Sequence, residues 1–201
     1  MKQPYIRQAT LEAIARRTLQ QLGYSYLNAP PQPVPLEHLI EDIHKLCIEY
    51  KYLTNNGRVL GKTIFDSGLT PYYDADKHQY DLLRVEKGTM LIDTTLLEPS
   101  KLGRLRFTEA HELAHWILHQ EAYAGTHEPA ALLSSDQDTA MEWQANALAT
   151  GILMPLGQIK RCYFSLSAQH MDRGQIIDQM ADVFGVSKKA MRIRLDSHGL
   201  K

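Results

Sequence analysis

The sequence predicts an α+β fold, mostly helical, with a small antiparallel sheet beside one central helix. Three observations predict it. Apolar residues recur at helical spacing near both ends of the chain, as in Leu11, Ile14, Ala15, Thr18 and Leu22. Residues 48–93 instead hold short strand-like runs broken by turn signals. Residues 107–120, FTEAHELAHWILHQ, combine a broad apolar face with three histidines, as a buried helix with a chemical task would.

The 201 residues suffice for one domain with a sizeable core, and 1–201 reads as a single unit. Within it, 5–47 form N-terminal helices, 48–155 a central sheet and site region, and 156–201 C-terminal helices. A formal net charge of −1 gives no global reason to expect nucleic acid or membrane as a partner. No apolar run approaches the ~18 residues of a membrane span, and the N-terminus lacks an apolar signal core, so a cytoplasmic protein is expected. Cys47 and Cys162 lack ligand spacing and read as small buried hydrophobes, a disulfide being the lesser alternative.

Taken in order, residues 5–22 form a helix stopped by Gly23, and 24–35 a proline-dense loop. Pro35 opens an amphipathic helix over 35–47, carried by Leu36, Leu39, Ile40, Ile43 and Leu46. Strands follow at 48–53, 58–66, 79–85 and 89–93. Asn56-Gly57 reads as a hairpin turn between the first two, Lys87-Gly88 as a link between the last two, and 66–78 as an exposed loop. After the central helix, 121–137 reads as a loop over the site. A second helix over 141–149 ends at Pro155. A helix runs from Pro155 to about Tyr163, and 165–171 is a loop. Helices at 173–184 and 187–197, joined at Gly185-Val186, have helix-turn-helix spacing. The last carries Lys188, Lys189, Arg192 and Arg194, which is either a phosphate-facing stripe or a solvated basic face.

His111-Glu112-Leu113-Ala114-His115 is an H-E-x-x-H. Residues four apart stack on one helical face, the spacing at which two imidazoles grip one metal ion. Glu112 stands beside them, placed to take a proton from an activated water. His119 is a poor third ligand, because eight residues separate it from His111 by about 12 Å of helix while metal–nitrogen bonds are ~2 Å. The better third ligand is Glu142, which begins the inward face of the second helix; otherwise it is an ordinary exposed glutamate. Asn146, one turn on, is placed to accept the spare N–H of a ligating imidazole. Tyr123, His127 and His170 are candidate donors to an oxyanion, each otherwise a loop residue.

The run Arg106 to His115, then Glu142-x-x-Ala145-Asn146-x-x-Ala149, then Leu153-Met154-Pro155, resembles the ImmA/IrrE family of metallopeptidases. The resemblance implies a zincin-like fold of the gluzincin type, His111, His115 and Glu142 as metal ligands, and Glu112 as general base. Ala114 departs from it, since the family most often has glycine there; alanine still packs closely. The implied activity is zinc-dependent hydrolysis of a peptide bond in a protein partner, with one Zn2+ per chain and Mn2+ or Fe2+ as alternatives. The implied substrate is a helix-turn-helix transcriptional repressor of a mobile element or stress response. The alternative is a non-catalytic regulator that binds DNA or a repressor through residues 173–198. No membrane partner is expected.

Overall fold

A computed structural model describes residues 6–23, 26, 28–123 and 136–200, the side chains of 136–138 aside. Its centre is a pair of packed helices, α2 (Leu102–Tyr123) and α3 (Asp136–Leu153). Ala110, Leu113 and Ala114 of α2 and Ala145, Leu148 and Ala149 of α3 are all fully buried in one core cluster. Small side chains on both faces let two long helices approach closely enough to share a site. On its other side α3 receives α1 (Gln8–Gln20), which buries Leu11, Ala15, Thr18 and Leu19. The approach there is tight, because a Cβ on Gly151 would lie 2.9 Å from Ala15 Cβ.

The sheet differs from the expected antiparallel one. Its order is β1 (Cys47–Lys51), β5 (Thr89–Asp93), β2 (Gly61–Thr63), with β1 parallel and β2 antiparallel to β5. Every residue of β5 is buried, so it takes the centre and both neighbours pair with it rather than with each other. The Asn56-Gly57 turn does form, with Gly57 at φ 62° and Arg58 N–H donating to Asn56 Oδ1 at 3.1 Å. It joins strands that are not partners.

Residues 66–78 are not a loop. They contain β3 (Gly68–Asp74), which pairs antiparallel with β4 (Gln79–Val85) in a separate ribbon, Gly68 opposite Val85 and Asp74 opposite Gln79. Pro71 argues against a strand because it has no N–H, but in a two-stranded ribbon alternate N–H groups point away from the partner in any case. Asp74 Oδ1 closes the turn by accepting from the backbone of Asp76 and Lys77 at 3.1 and 3.0 Å. β4 therefore does not pair with β5 across Lys87-Gly88.

The helix expected over 35–47 is shorter. It is a π-helical turn at His38–Ile43 that seats Leu39 and Ile40, and Lys45, at φ 57°, redirects the chain into β1. α4 (Leu156–Ser167) outruns its expected end, so the loop before Met171 begins only after Ser167. Cys162 is buried, whereas Cys47 is exposed, and neither forms a disulfide. Among the described residues no helix is long and apolar enough to cross a membrane.

α5 (Arg173–Phe184) and α6 (Lys188–Ser197) form a tight helix pair. Gly185 ends α5 at φ 62°, a left-handed cap that glycine adopts without strain, and Ser187 Oγ caps α6 by accepting from Ala190 N–H at 3.1 Å. The four-residue basic stripe is not available as such. Lys188 pairs with Asp178 at 2.6 Å, and Arg194 is buried against Glu12 of α1. Lys189 and Arg192 remain exposed.

Candidate metal centre and cleft

A cleft of about 510 Å³ runs between α2 and β2. Along α2 it is lined by Arg104, Phe107, Thr108, His111, Glu112, His115 and Tyr123, one helical face over almost the full length of the element. β2 and its flanks supply the facing wall, and α3 contributes Glu142 and Asn146.

Within the cleft the helix spacing and the α2–α3 packing bring three groups together. His111 Nε2 and His115 Nε2 are 3.0 Å apart. Glu142 carboxylate oxygens stand 3.2 Å from the first and 3.1 Å from the second. One ligand atom from each of the three lies within 4.8 Å of the others.

The outer ring nitrogens explain why the inner ones converge. His111 Nδ1–H donates to Asn146 Oδ1 at 3.1 Å. His115 Nδ1 lies 3.0 Å from His119 Nδ1, and His119 Nε2–H donates to Gln144 Oε1 at 3.1 Å. With Gln144 fixing His119, the proton between the two Nδ1 atoms belongs to His115. When neutral, both imidazoles then carry Nε2 lone pairs aimed at one point beside a carboxylate; when protonated, they donate to that carboxylate instead. Lone pairs 3.0 Å apart repel unless a cation lies between them, and two ~2 Å metal–nitrogen bonds span that separation. The donor set therefore fits a divalent ion such as zinc, held by His111, His115 and Glu142. Burial pushes His111 down, but the Glu142 hydrogen bond and the Glu112 and Glu142 charges outweigh it and raise the imidazole above its ordinary range. Hydrogen bonds from His111 and His115 hold the Glu142 carboxyl well below the usual carboxylate range, against the opposing effect of burial. Burial takes His119 down to about 4, so it stays neutral and serves as an acceptor for His115.

Glu112 is buried beside this cluster and is not part of it. Thr63 Oγ1 of β2 contacts its Oε2 at 2.8 Å and its backbone oxygen at 3.0 Å, fixing strand to helix at the carboxylate. Gly61 makes that approach possible, since a Cβ there would sit 2.6 Å from Glu112 Oε1 and 2.8 Å from Thr108 Cγ2. Lys62, between them, donates to Thr70 Oγ1; burial lowers its ammonium pKa, opposed by the Glu112 charge.

Of the candidate oxyanion donors, Tyr123 lines the cleft, stacks on Phe65 at 4.7 Å and has its ring centroid 6.4 Å from that of His115. His170 is not among the lining residues; it sits in the α4–α5 turn at φ 58°. His127 lies outside the described residues. Thr63, Gly61 and Gln144 carry no signal in the sequence, because their roles depend on partners far along the chain.

Gly61→Ala is expected to displace the Glu112 carboxylate while sparing the three-residue cluster. Metal content should match wild type, and kcat should fall on the order of 10²-fold, as ~1 Å misplacements do. Equal turnover for the two proteins would show that strand and helix separate without consequence.

A family model described as the IrrE N-terminal-like domain, peptidase M78, matches residues 71–196. Among solved structures, the chain is similar to a Mycobacterium tuberculosis transcriptional regulator, with a TM-score of 0.54 and 18% identity. The likeness covers 95% of this chain and 47% of that one, so the chain spans about half the length of this solved relative. At that identity it is the fold that is shared. No curated protein matches the chain.

Proposed function

We propose that this chain, which belongs to the peptidase M78 family of IrrE N-terminal-like domains, is a zinc-dependent endopeptidase that cuts a protein partner. The observation that carries the reading is the convergence of His111 Nε2, His115 Nε2 and the Glu142 carboxylate in a cleft that also holds Glu112. A purely structural metal site has no use for a buried carboxylate alongside its ligands.

Zinc held by those three residues would supply Lewis-acid chemistry, activating water and polarising a carbonyl. Glu112 takes the proton of the attacking water and passes it to the leaving amine. Thr63 holds the Glu112 side chain toward the reacting atoms. Asn146, and His119 with Gln144 behind it, keep the two imidazoles in the tautomer that leaves Nε2 free. Tyr123, which lines the same cleft, would steady the oxyanion. Among the described residues β2 pairs with β5 along one edge, and its other edge suits an extended peptide adding as a further strand.

The substrate we propose is a helix-turn-helix transcriptional repressor, as the family resemblance implies. The experiment is a search for new N-termini in an extract of the host cell, treated with wild-type protein or Glu112→Gln. Cleavage of a DNA-binding repressor by wild type alone is the expected result. Cleavage of unrelated proteins only would retire the repressor and keep the peptidase. The second reading, a non-catalytic regulator acting through α5 and α6, draws on the helix pair and on exposed Lys189 and Arg192. It requires salt-dependent DNA binding that disappears when those two are neutralised.

A further inference from the structure

The cleft is polarised along its length, which bears on what peptide it takes. β2 and α2 run in the same direction past one another. Gly61 packs on Thr108 and Glu112, Thr63 bonds to Glu112, and Phe65 stacks on Trp116 and Tyr123. Moving up the strand thus moves up the helix. Two arginines stand at the same end of these parallel walls, Arg58 before β2 and Arg104 in the first turn of α2.

Their reach to the chemistry follows from element geometry, and two independent routes agree. Arg104 precedes His111 by seven helical residues, about 10 Å. Arg58 precedes Gly61, which abuts Glu112, by three residues of open chain, again about 10 Å. A bound extended peptide covers that distance in about three residues.

Charge around the arginines is unbalanced. The only carboxylates among the described lining residues are Glu112 and Glu142, which the proposed chemistry already uses. Both arginines are exposed, and neither has a carboxylate partner among the described residues. Lys62 adds a third cation to the same wall, tied to Thr70. The whole chain carries a net charge of only −1, so this concentration is local. The opposite end of the cleft is apolar and aromatic, closed by Phe65 stacked on Tyr123 at 4.7 Å.

We infer that the cleft selects a peptide with an acidic side chain about three residues from the scissile bond on one side and an apolar or aromatic residue on the other. Arg58 and Arg104 read the acidic residue, and Phe65 with Tyr123 packs the apolar one. This rests on the peptidase reading above, and it names the substrate class for the same site.

The test is a decapeptide library with randomised central positions, digested by the zinc-loaded protein and read by mass spectrometry. Cut peptides should be enriched about 3- to 10-fold in Asp or Glu some three positions from the cut on one side only, the gain expected of one or two solvent-accessible ion pairs. Arg58→Glu/Arg104→Glu should abolish that enrichment or turn it toward Lys and Arg, with an unchanged thermal midpoint because both side chains are exposed and neither is paired with a carboxylate among the described residues. Cleavage without acidic enrichment, or enrichment that survives the double variant, overturns the inference and leaves the peptidase intact. If wild type cuts nothing in the library, the peptidase reading has failed on these probes and binding decides the inference. A fluorescein-labelled acidic decapeptide should then bind Glu112→Gln several-fold more tightly than its Asn/Gln counterpart, an advantage lost at high salt. Equal affinities overturn it.

Discussion

Replacing Glu112 by Gln should reduce peptide hydrolysis by about 10²–10⁴-fold, the contribution of a positioned general base, and leave zinc in place. Glutamine matches glutamate in size and keeps an oxygen for the 2.8 Å contact with Thr63 Oγ1, so the strand–helix junction survives. It cannot take a proton from water, which is the one function removed. Glu112 also lies outside the converging set of His111, His115 and Glu142, so metal binding has no reason to weaken. The measurement is kcat on the cleaved repressor or a derived peptide, with metal content and thermal midpoint determined on the same preparations. Loss of activity together with loss of zinc would mean that Glu112 is a ligand. Turnover near wild type with zinc bound would remove it as the base.

The second large effect lies far from the cleft. Arg194→Met should cost about 3–5 kcal/mol of stability at pH 7, as breaking one side of a buried ion pair does. For a chain of this size that is a fall of roughly 10 °C in Tm. Arg194 is buried on α6, and its guanidinium reaches both Glu12 carboxylate oxygens and the backbone oxygen of Met154, the last at 3.1 and 2.9 Å. One side chain thus ties α1, the α3–α4 junction and α6 together. Its loss strands Glu12 and the Met154 carbonyl. The pH dependence has a definite sign. Burial raises the Glu12 pKa, but hydrogen bonding and charge from Arg194, with His198 beside it, outweigh that and hold the carboxyl below its ordinary 4.5. A depressed folded value gives stability that is present above the unfolded value and lost as pH falls through the folded one. The gap between wild type and Arg194→Met, measured by urea unfolding, should therefore narrow in acid. A deficit under about 1 kcal/mol at pH 7 would equate the pair with a surface salt bridge.

What the sequence discloses about the cleft follows the range of each interaction. His111 and His115 share a face because four residues make one turn, a relation contained within the helix itself. Glu142 and Asn146 share a face of α3 for the same reason, and the apolar stripes of α2 and α3 indicate that these helices pack. Gly61 and Thr63 are different. Nothing local marks Gly61, whose need arises only when Glu112, about fifty positions later, comes within 2.6 Å of the place its Cβ would occupy. Gln144 is similarly silent until it meets His119.

Strands show the same division. The buried run Thr89–Asp93 is legible from its composition, but its partners are not. Turn residues at 56–57 favour a local hairpin, yet pairing both neighbours with the most apolar strand buries more surface, and tertiary burial prevails. β3 was hidden by Pro71 and by its alternation of exposed Leu69 with polar Thr70. In α6 the four basic residues look alike in sequence, and only the packing of α1 beneath them separates Arg194, an interior tie, from exposed Lys189 and Arg192.

The most direct measurement is metal content with stoichiometry, on wild type and on Glu142→Ala, after purification without chelators. Near one zinc per chain, lost or much weakened in the variant, is the expected result, because Glu142 supplies the carboxylate beside the His111 and His115 nitrogens. Wild-type protein without bound metal, or full retention in Glu142→Ala, would contradict the three-ligand centre on which the proposed peptidase depends.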